Sequence, residues 1–163
     1  LRPTPDRVRE TVFNWLMHDI HGARCLDAFA GSGAIGMEAL SRGAAFVAFL
    51  DQHASVYRSL IQTMSEFEIK KAEAHVSKKD SMHWLNRSSE APFDLIFLDP
   101  PFRRDLIKPL LKLIDIHNWL TPCGKVYIEA AEPIDEATLK SLGWQCLREK
   151  RCGDVHFALI EKL

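Results

Sequence analysis

The stretch Arg24–Glu38, RCLDAFAGSGAIGME, decides the fold. Arg24 to Phe29 reads as a short apolar strand, Ala30-Gly31-Ser32-Gly33 as a tight turn, and Ala34 onward as a helix. Gly31 and Gly33 let the backbone turn sharply and come close to a ligand. Gly36, one turn into the helix, predicts close packing of that helix on the strand it follows. A strand, a glycine turn and a helix start in this order open a nucleotide-binding βαβ unit. The turn lacks the Lys-Ser/Thr ending of a phosphate-gripping loop, which argues against a nucleoside triphosphate. Asp27 at the strand end would repel a pyrophosphate. It suits a cationic group such as the amine or sulfonium of S-adenosylmethionine (SAM). Asp27, Ala28, Gly31, Ser32 and Gly33 are therefore candidate cofactor-binding residues.

Downstream, Phe46–Leu50 is a continuous apolar run ending in Asp51. Such a run fits a parallel strand covered on both faces. An acid at this second strand end, twenty residues past Gly31, fits the ribose hydroxyls of an adenosine ligand. A cap for the next helix is the other reading of Asp51, and the spacing favours the ribose. Val56, Leu60, Ile61, Met64 and Phe67 predict the buried stripe of that helix. A weaker strand, Ala72–Ser77, leads to Asp80 and Ser81. There Asp80 suits an adenine amine or a helix cap equally well, and Met82 could touch the ring.

The second strong signal is the strand Phe93–Asp99, followed by Pro100, Pro101 and Phe102. Two adjacent prolines stiffen the chain and donate no backbone hydrogen bonds. Asp99 and a fixed carbonyl can together accept both hydrogens of an exocyclic amine, and Phe102 offers a flat face to a base. Arg103 and Arg104 beside this turn are either a solvated loop or phosphate contacts.

Upstream, LRPTPDRVRETVFNWLMHDI predicts a helix that docks on the domain over residues 1–20. Thr4 is its expected cap, Pro5 its first residue and Asp6 its first-turn acid. Val8, Val12, Trp15 and Leu16 share one face. Arg2, Arg7 and Arg9 read as a solvated face, with contact to cofactor or RNA the lesser alternative. Toward the C-terminus, Leu106, Ile107, Leu110, Leu111 and Ile114 form a helix stripe. Trp119–Gly124 reads as a turn into the strand Lys125–Glu129, and Ala137–Leu142 as a short helix. Two final strands, 144–151 and 154–161, are joined so briefly that they must run antiparallel.

Length and composition fit one domain spanning 1–163 with an ordinary core. No run approaches the roughly eighteen apolar residues of a membrane helix. The four cysteines form no CxxC pair and read as reduced core thiols, and the seven histidines lack metal-site spacing, so no metal is expected. Net charge is -1, which argues against holding naked nucleic acid by bulk electrostatics. The chain starts at Leu1 without a methionine, so upstream residues are expected.

Asp99-Pro100-Pro101-Phe102 resembles the Asn/Asp-Pro-Pro-aromatic motif of SAM-dependent amino-methyltransferases. With Arg2-Pro3-Thr4, Asp6–Glu10, Phe13-Asn14-Trp15 and LDAFAGSGAIGMEALSRGA, the chain resembles the RsmD family of bacterial 16S ribosomal RNA guanine-N2 methyltransferases. That family commonly has Glu where Asp51 stands, and a basic segment ahead of Arg-Pro-Thr. The resemblance implies a Rossmann-like α/β fold. Its seven-stranded class I SAM methyltransferase sheet has helices on both faces and an antiparallel C-terminal hairpin. It also implies Asp99, Pro100, Pro101 and Phe102 as catalytic residues and SAM as cofactor. The 16S rRNA, within a small-subunit particle, is the implied partner, and the location is cytoplasmic. A monomer is expected because no long apolar stripe is left exposed. The alternatives are an amino-methyltransferase acting on DNA adenine or protein glutamine, and a non-catalytic RNA-binding module.

Overall fold

A computed structural model of the chain describes residues 4–101 and 105–163. Helix α1 (Asp6–Trp15) leads to strand β1 (Arg24–Asp27), the glycine turn and helix α2 (Ala34–Ser41). Strand β2 (Phe46–Asp51), helix α3 (Ala54–Glu66), strand β3 (Ala74–Lys78) and the short helix α4 (Ser81–Leu85) follow. Next come strand β4 (Phe93–Leu98), helix α5 (Ile107–Ile116), strand β5 (Leu120–Ala130) and helix α6 (Glu136–Ser141). Strands β6 (Trp144–Cys152) and β7 (Val155–Lys162) close the chain. The strands make one seven-stranded sheet in the order β3-β2-β1-β4-β5-β7-β6. Strands β1 to β5 pair in parallel, while β7 runs antiparallel to β5 and β6 antiparallel to β7. Chain order reverses between β1 and β4, the switch point where such sheets open a crevice at their carboxyl ends.

Apolar residues on successive strand positions go to opposite faces, as the two-residue period requires. Cys25, Val47, Phe49, Leu95, Phe97 and Tyr127 pack with Val8, Val12, Phe13 and Leu16 of the α1 segment. Leu26, Ala48, Leu50, Ile96, Leu98, Val126 and Ile128 face the other way and meet Leu110, Leu111 and Ile114 of α5. Both faces are thus covered. That is why β2 and β4 read as unbroken hydrophobic runs. The stripes expected for α1 and α5 are buried, except that Trp15, stacked on Phe157, and Leu106, at the cap of α5, are only half-buried.

Several local expectations change. Thr4 does not cap α1: the cap position is Pro5, with no side-chain bond, and Thr4 turns to Asp99 instead. Gly36 packs on Phe49 of β2 rather than on the strand before it, since a Cβ there would overlap the Phe49 ring. In α3 only Leu60 is fully buried, while Ile61 and Phe67 face solvent. The predicted turn before β5 is part of the strand, with a register shift against β4. Thr121 there bonds Asp94 across the irregularity at 3.1 Å. All four cysteines are free thiols, but only Cys25 is buried and Cys123 is exposed. Burial, then the nearby carboxyls of Asp94 and Asp27, push the Cys25 thiol up to about 12, which leaves it inert.

No helix among the described residues is long and apolar enough to cross a membrane. No cluster of three or more His, Cys, Asp or Glu among them could hold a metal ion.

Candidate active site

Strands β1 and β2 end in acids, Asp99 follows β4, Glu129 is next to last in β5, and register aligns them. Asp27 lies opposite Phe49 and Phe97, and Phe97 lies opposite Tyr127. One period further along sit Asp51, Asp99 and Glu129, on the face that carries α1. A cleft of about 210 Å³ opens above the ends of β1 and β4. Asp27, Ala28, Gly31, Ser32, Asp51, Asp80, Ser81, Asp99 and Pro101 all line it. The carboxylate of Asp99 and the glycine turn therefore share one crevice. Gly33 stands behind the lining as the left-handed cap of α2, at φ 82° against Leu60. Pro100 lines a second cavity, on the far side of the proline turn. Phe102, Arg103 and Arg104 lie outside the described residues, as does Arg2.

Asp27 is 3% exposed and accepts the Gly36 N–H at 3.1 Å, which caps the first turn of α2 from outside the helix. Burial pushes its carboxyl up to about 7. The Gly36 bond opposes that rise, and Asp51 and Glu129 add to it. No cation pairs with Asp27 among the described residues. Asp51 accepts the Gly31 N–H at 3.1 Å and the His53 N–H at 3.0 Å, one on each oxygen, so it braces the glycine turn and the start of α3 together. Oδ1 also meets the His53 ring Nδ1 at 2.8 Å, so it is Oδ2 that keeps a second lone pair for a ligand hydroxyl. Gly31 is at φ 52°, and nothing lies within 4 Å of where its Cβ would be. A ligand can therefore lie directly on that backbone. A buried carboxyl with no paired cation among the described residues, an acid with a spare lone pair and an open glycine fit the cation, ribose and adenosine body of SAM.

Asp80 caps α4 by accepting the His83 N–H at 3.2 Å, and it also lines the cleft. Ser81 is buried and donates its hydroxyl to the Ala28 carbonyl, tying the third strand end to the first. Arg7 is exposed. Arg9 is engaged by Asp6 at 2.9 Å and Glu38 at 3.6 Å.

Two neighbours of Asp99 escape the sequence reading. Thr4 donates a long hydrogen bond to Asp99 Oδ2 at 3.5 Å. Glu129, 3% exposed at the end of β5, has its carboxyl within hydrogen-bonding reach of Asp99. Burial first, and Glu129 second, raise the Asp99 carboxyl well above its ordinary range. Tyr127 donates its hydroxyl to Glu129 Oε1 at 2.7 Å, and burial together with Glu129 raises the Tyr127 hydroxyl. A signal for Glu129 existed. The strand KVYIE ends in an acid just as β1, β2 and the Phe93–Asp99 run do.

The family described as Conserved hypothetical protein 95 matches residues 1–161. The ribosomal RNA small subunit methyltransferase D of Haemophilus influenzae is 40% identical over 162 residues, covering 99% of this chain and 83% of that one. Its Escherichia coli counterpart is 39% identical over 162 residues, covering 99% and 80%. A solved Haemophilus influenzae structure, 39% identical, superimposes with a TM-score of 0.85 over 99% of both chains. An Escherichia coli structure, 36% identical, gives 0.87 over 99% of this chain and 88% of that one. The sheet order, the closing hairpin and a match across nearly the whole sequence agree: the chain belongs to the RsmD family, described as Conserved hypothetical protein 95.

Proposed function

We propose that the chain is a SAM-dependent methyltransferase acting on the N2 amine of a guanine in 16S ribosomal RNA. Residues 1–163 would act as one domain, as a monomer in the cytoplasm, on an assembling small-subunit particle. One observation carries the reading: Asp27 and Asp99, at the ends of adjacent strands, open into the same cleft. Relatives named ribosomal RNA small subunit methyltransferase D support RNA as the substrate. The resemblance at Asp99–Phe102 supports transfer to an amine nitrogen, and the resemblance of the whole chain to the RsmD family supports guanine.

When bound, SAM supplies an activated methyl group. Asp27 holds the cationic end of the cofactor, and Asp51 accepts its ribose hydroxyls. Asp80 and Ser81 border the adenine side. Asp99 and the Pro100 carbonyl accept the two hydrogens of the guanine amine and aim its lone pair at the cofactor side of the cleft. The amine is a poor nucleophile because its lone pair is delocalised into the ring. Orientation is therefore the main contribution, and it is worth up to roughly 7–11 kcal/mol in well-aligned systems. Asp99 gives up its own proton as the base enters; once ionised, its raised proton affinity lets it take the proton that the nitrogen sheds. The target base must leave its stack to reach the pocket, and Phe102 is assigned to stack on it. Arg7, Arg9, Arg103 and Arg104 are assigned to the surrounding RNA.

Tritiated SAM offered with small-subunit particles, free 16S RNA and DNA tests this. Label is expected in guanine of 16S RNA, most efficiently from particles. Asp99→Ala should lower turnover at least about 1000-fold while SAM affinity stays within a few-fold. Label in DNA adenine or protein glutamine would replace the substrate. SAM binding without transfer to any of them would mean a binding module, and normal turnover in Asp99→Ala would remove Asp99 from its role.

A further inference from the structure

Glu129 is a buried carboxyl that the proposed reaction does not use, yet its placement is specific. Pairing of Leu98 with Ile128 puts Asp99 and Glu129 one step further along neighbouring strands, side by side. The Tyr127 hydroxyl occupies one oxygen of Glu129 at 2.7 Å. Glu129 also lines the second cavity, of about 480 Å³, together with Pro100 and Pro101, while Asp99 lines the SAM cleft. The two spaces adjoin along the proline turn, with Pro101 common to both. Four carboxyl-bearing residues line the second cavity (Asp105, Glu129, Glu132 and Asp135), against one described cation, Lys108. The described lining is rich in carboxylate acceptors, which suit the donor edge of a nucleobase.

The chemistry of that edge follows from the pair. Two ionised carboxyls side by side present acceptors only. On guanine, N1–H and the N2 amine are adjacent donors, which is the complementary pattern. On adenine the amine adjoins N1, an acceptor, which would face a carboxylate lone pair directly. Without a base, one proton held between the two acids relieves their repulsion, and it leaves to solvent when the two donors of guanine take its place.

We propose that Glu129 selects guanine: its second oxygen accepts the N1–H while Asp99 accepts from the neighbouring amine. This rests on the proposed guanine methylation and names what reads the base. Tyr127 is a positioning residue, because it turns the free oxygen of Glu129 toward the cavity. Glu129→Gln would keep an oxygen for Tyr127 and present an NH₂ to the base, a donor facing a donor.

The test uses particles whose 16S RNA carries either guanine or 2-aminopurine at the position that the wild-type protein methylates. 2-Aminopurine keeps the amine but has a lone pair at N1. The wild-type protein should prefer guanine at least about 30-fold in kcat/KM, the effect of one unmade buried hydrogen bond to a charged group. Glu129→Gln should lower kcat/KM for guanine at least about 30-fold, leave 2-aminopurine within about three-fold and leave SAM affinity unchanged. Equal losses on both bases, or an unchanged guanine rate, would overturn the proposal. Tyr127→Phe provides a second route should Glu129→Gln not fold. It should shrink the preference about ten-fold, and an unchanged preference would count against the proposal. If the wild-type protein methylates no guanine, the functional reading falls and this one with it. If it methylates guanine and 2-aminopurine equally, only this inference falls.

Discussion

Asp27 does two jobs with one carboxyl: it caps α2 through Gly36 and faces the cleft with no cation paired to it among the described residues. Its pH behaviour follows. The folded group gives up its proton at about 7, against an ordinary 3.8. The folded state therefore holds a proton that the unfolded chain has already lost between about pH 4 and 7. Stability from this group is fully present below that window and is lost as pH rises through it. The ligand-free protein should melt at a lower temperature at pH 8 than at pH 5.5. Asp27→Asn, whose amide oxygen still accepts the Gly36 N–H, should remove part of that fall. SAM should bind more tightly as pH rises from 6 to 8, because a cation prefers the ionised acid. Melting curves and calorimetric titration across that range check both statements. A pH-independent SAM affinity would detach Asp27 from the cationic group. Asp27 was legible in the sequence because its strand and turn are local. Thr4 was not, because its partner lies 95 residues away and the local signal for a helix cap is strong.

The element that holds the cleft open is α2, and its clearance over the sheet is set at Gly36. A Cβ at that position would run into the ring of Phe49, which is fully buried. Gly36→Ala should cost about 1–3 kcal/mol by overpacking, despite the better helix propensity of alanine. Because α2 carries the glycine turn, SAM affinity should fall with it. Urea unfolding of Gly36→Ala and of the double variant with Phe49→Leu separates the causes: relief of the clash should recover most of the loss, and no recovery would place the strain elsewhere. Most elements were legible from the sequence, because runs such as Phe46–Asp51 and Phe93–Leu98 are buried on both faces and leave no alternation to misread. Helix α3 was over-read. Its apolar positions fit a stripe by spacing, but Ile61 is 44% and Phe67 68% exposed. The helix lies toward the β3 edge, where the sheet covers less of it. The start of β5 was read as a turn because Pro122 and Gly124 signal one. The chain there does leave its register against β4, yet it stays extended.

Across the whole molecule 21 Lys and Arg balance 22 Asp and Glu, but the charges are not mixed evenly. Acids gather at the carboxyl ends of β1, β2, β4 and β5. The final hairpin brings Arg151 level with His156, which lies beside Ala130 at the end of β5. Exposed Arg148, Lys150 and Arg151 therefore rise at the edge that holds the cleft. They make no ion pair among the described residues. Replacing Arg148 and Lys150 with Glu should raise KM for particles about ten-fold or more at low salt and less at high salt, with SAM affinity unchanged. A salt-independent effect would argue against phosphate contact by this hairpin. At this scale the sheet, its closing hairpin and three of the strand-end acids were legible in the sequence. Glu129 was missed because the acid that ends KVYIE names no partner by itself: its meaning comes from lying next to Asp99, and only strand order supplies that. Pro101 stands as a party wall between the two chambers. A compound that joined an adenosine to a purine by a short tether over that wall would make its second contact as an intramolecular event. Its grip would then approach the product of two separate affinities.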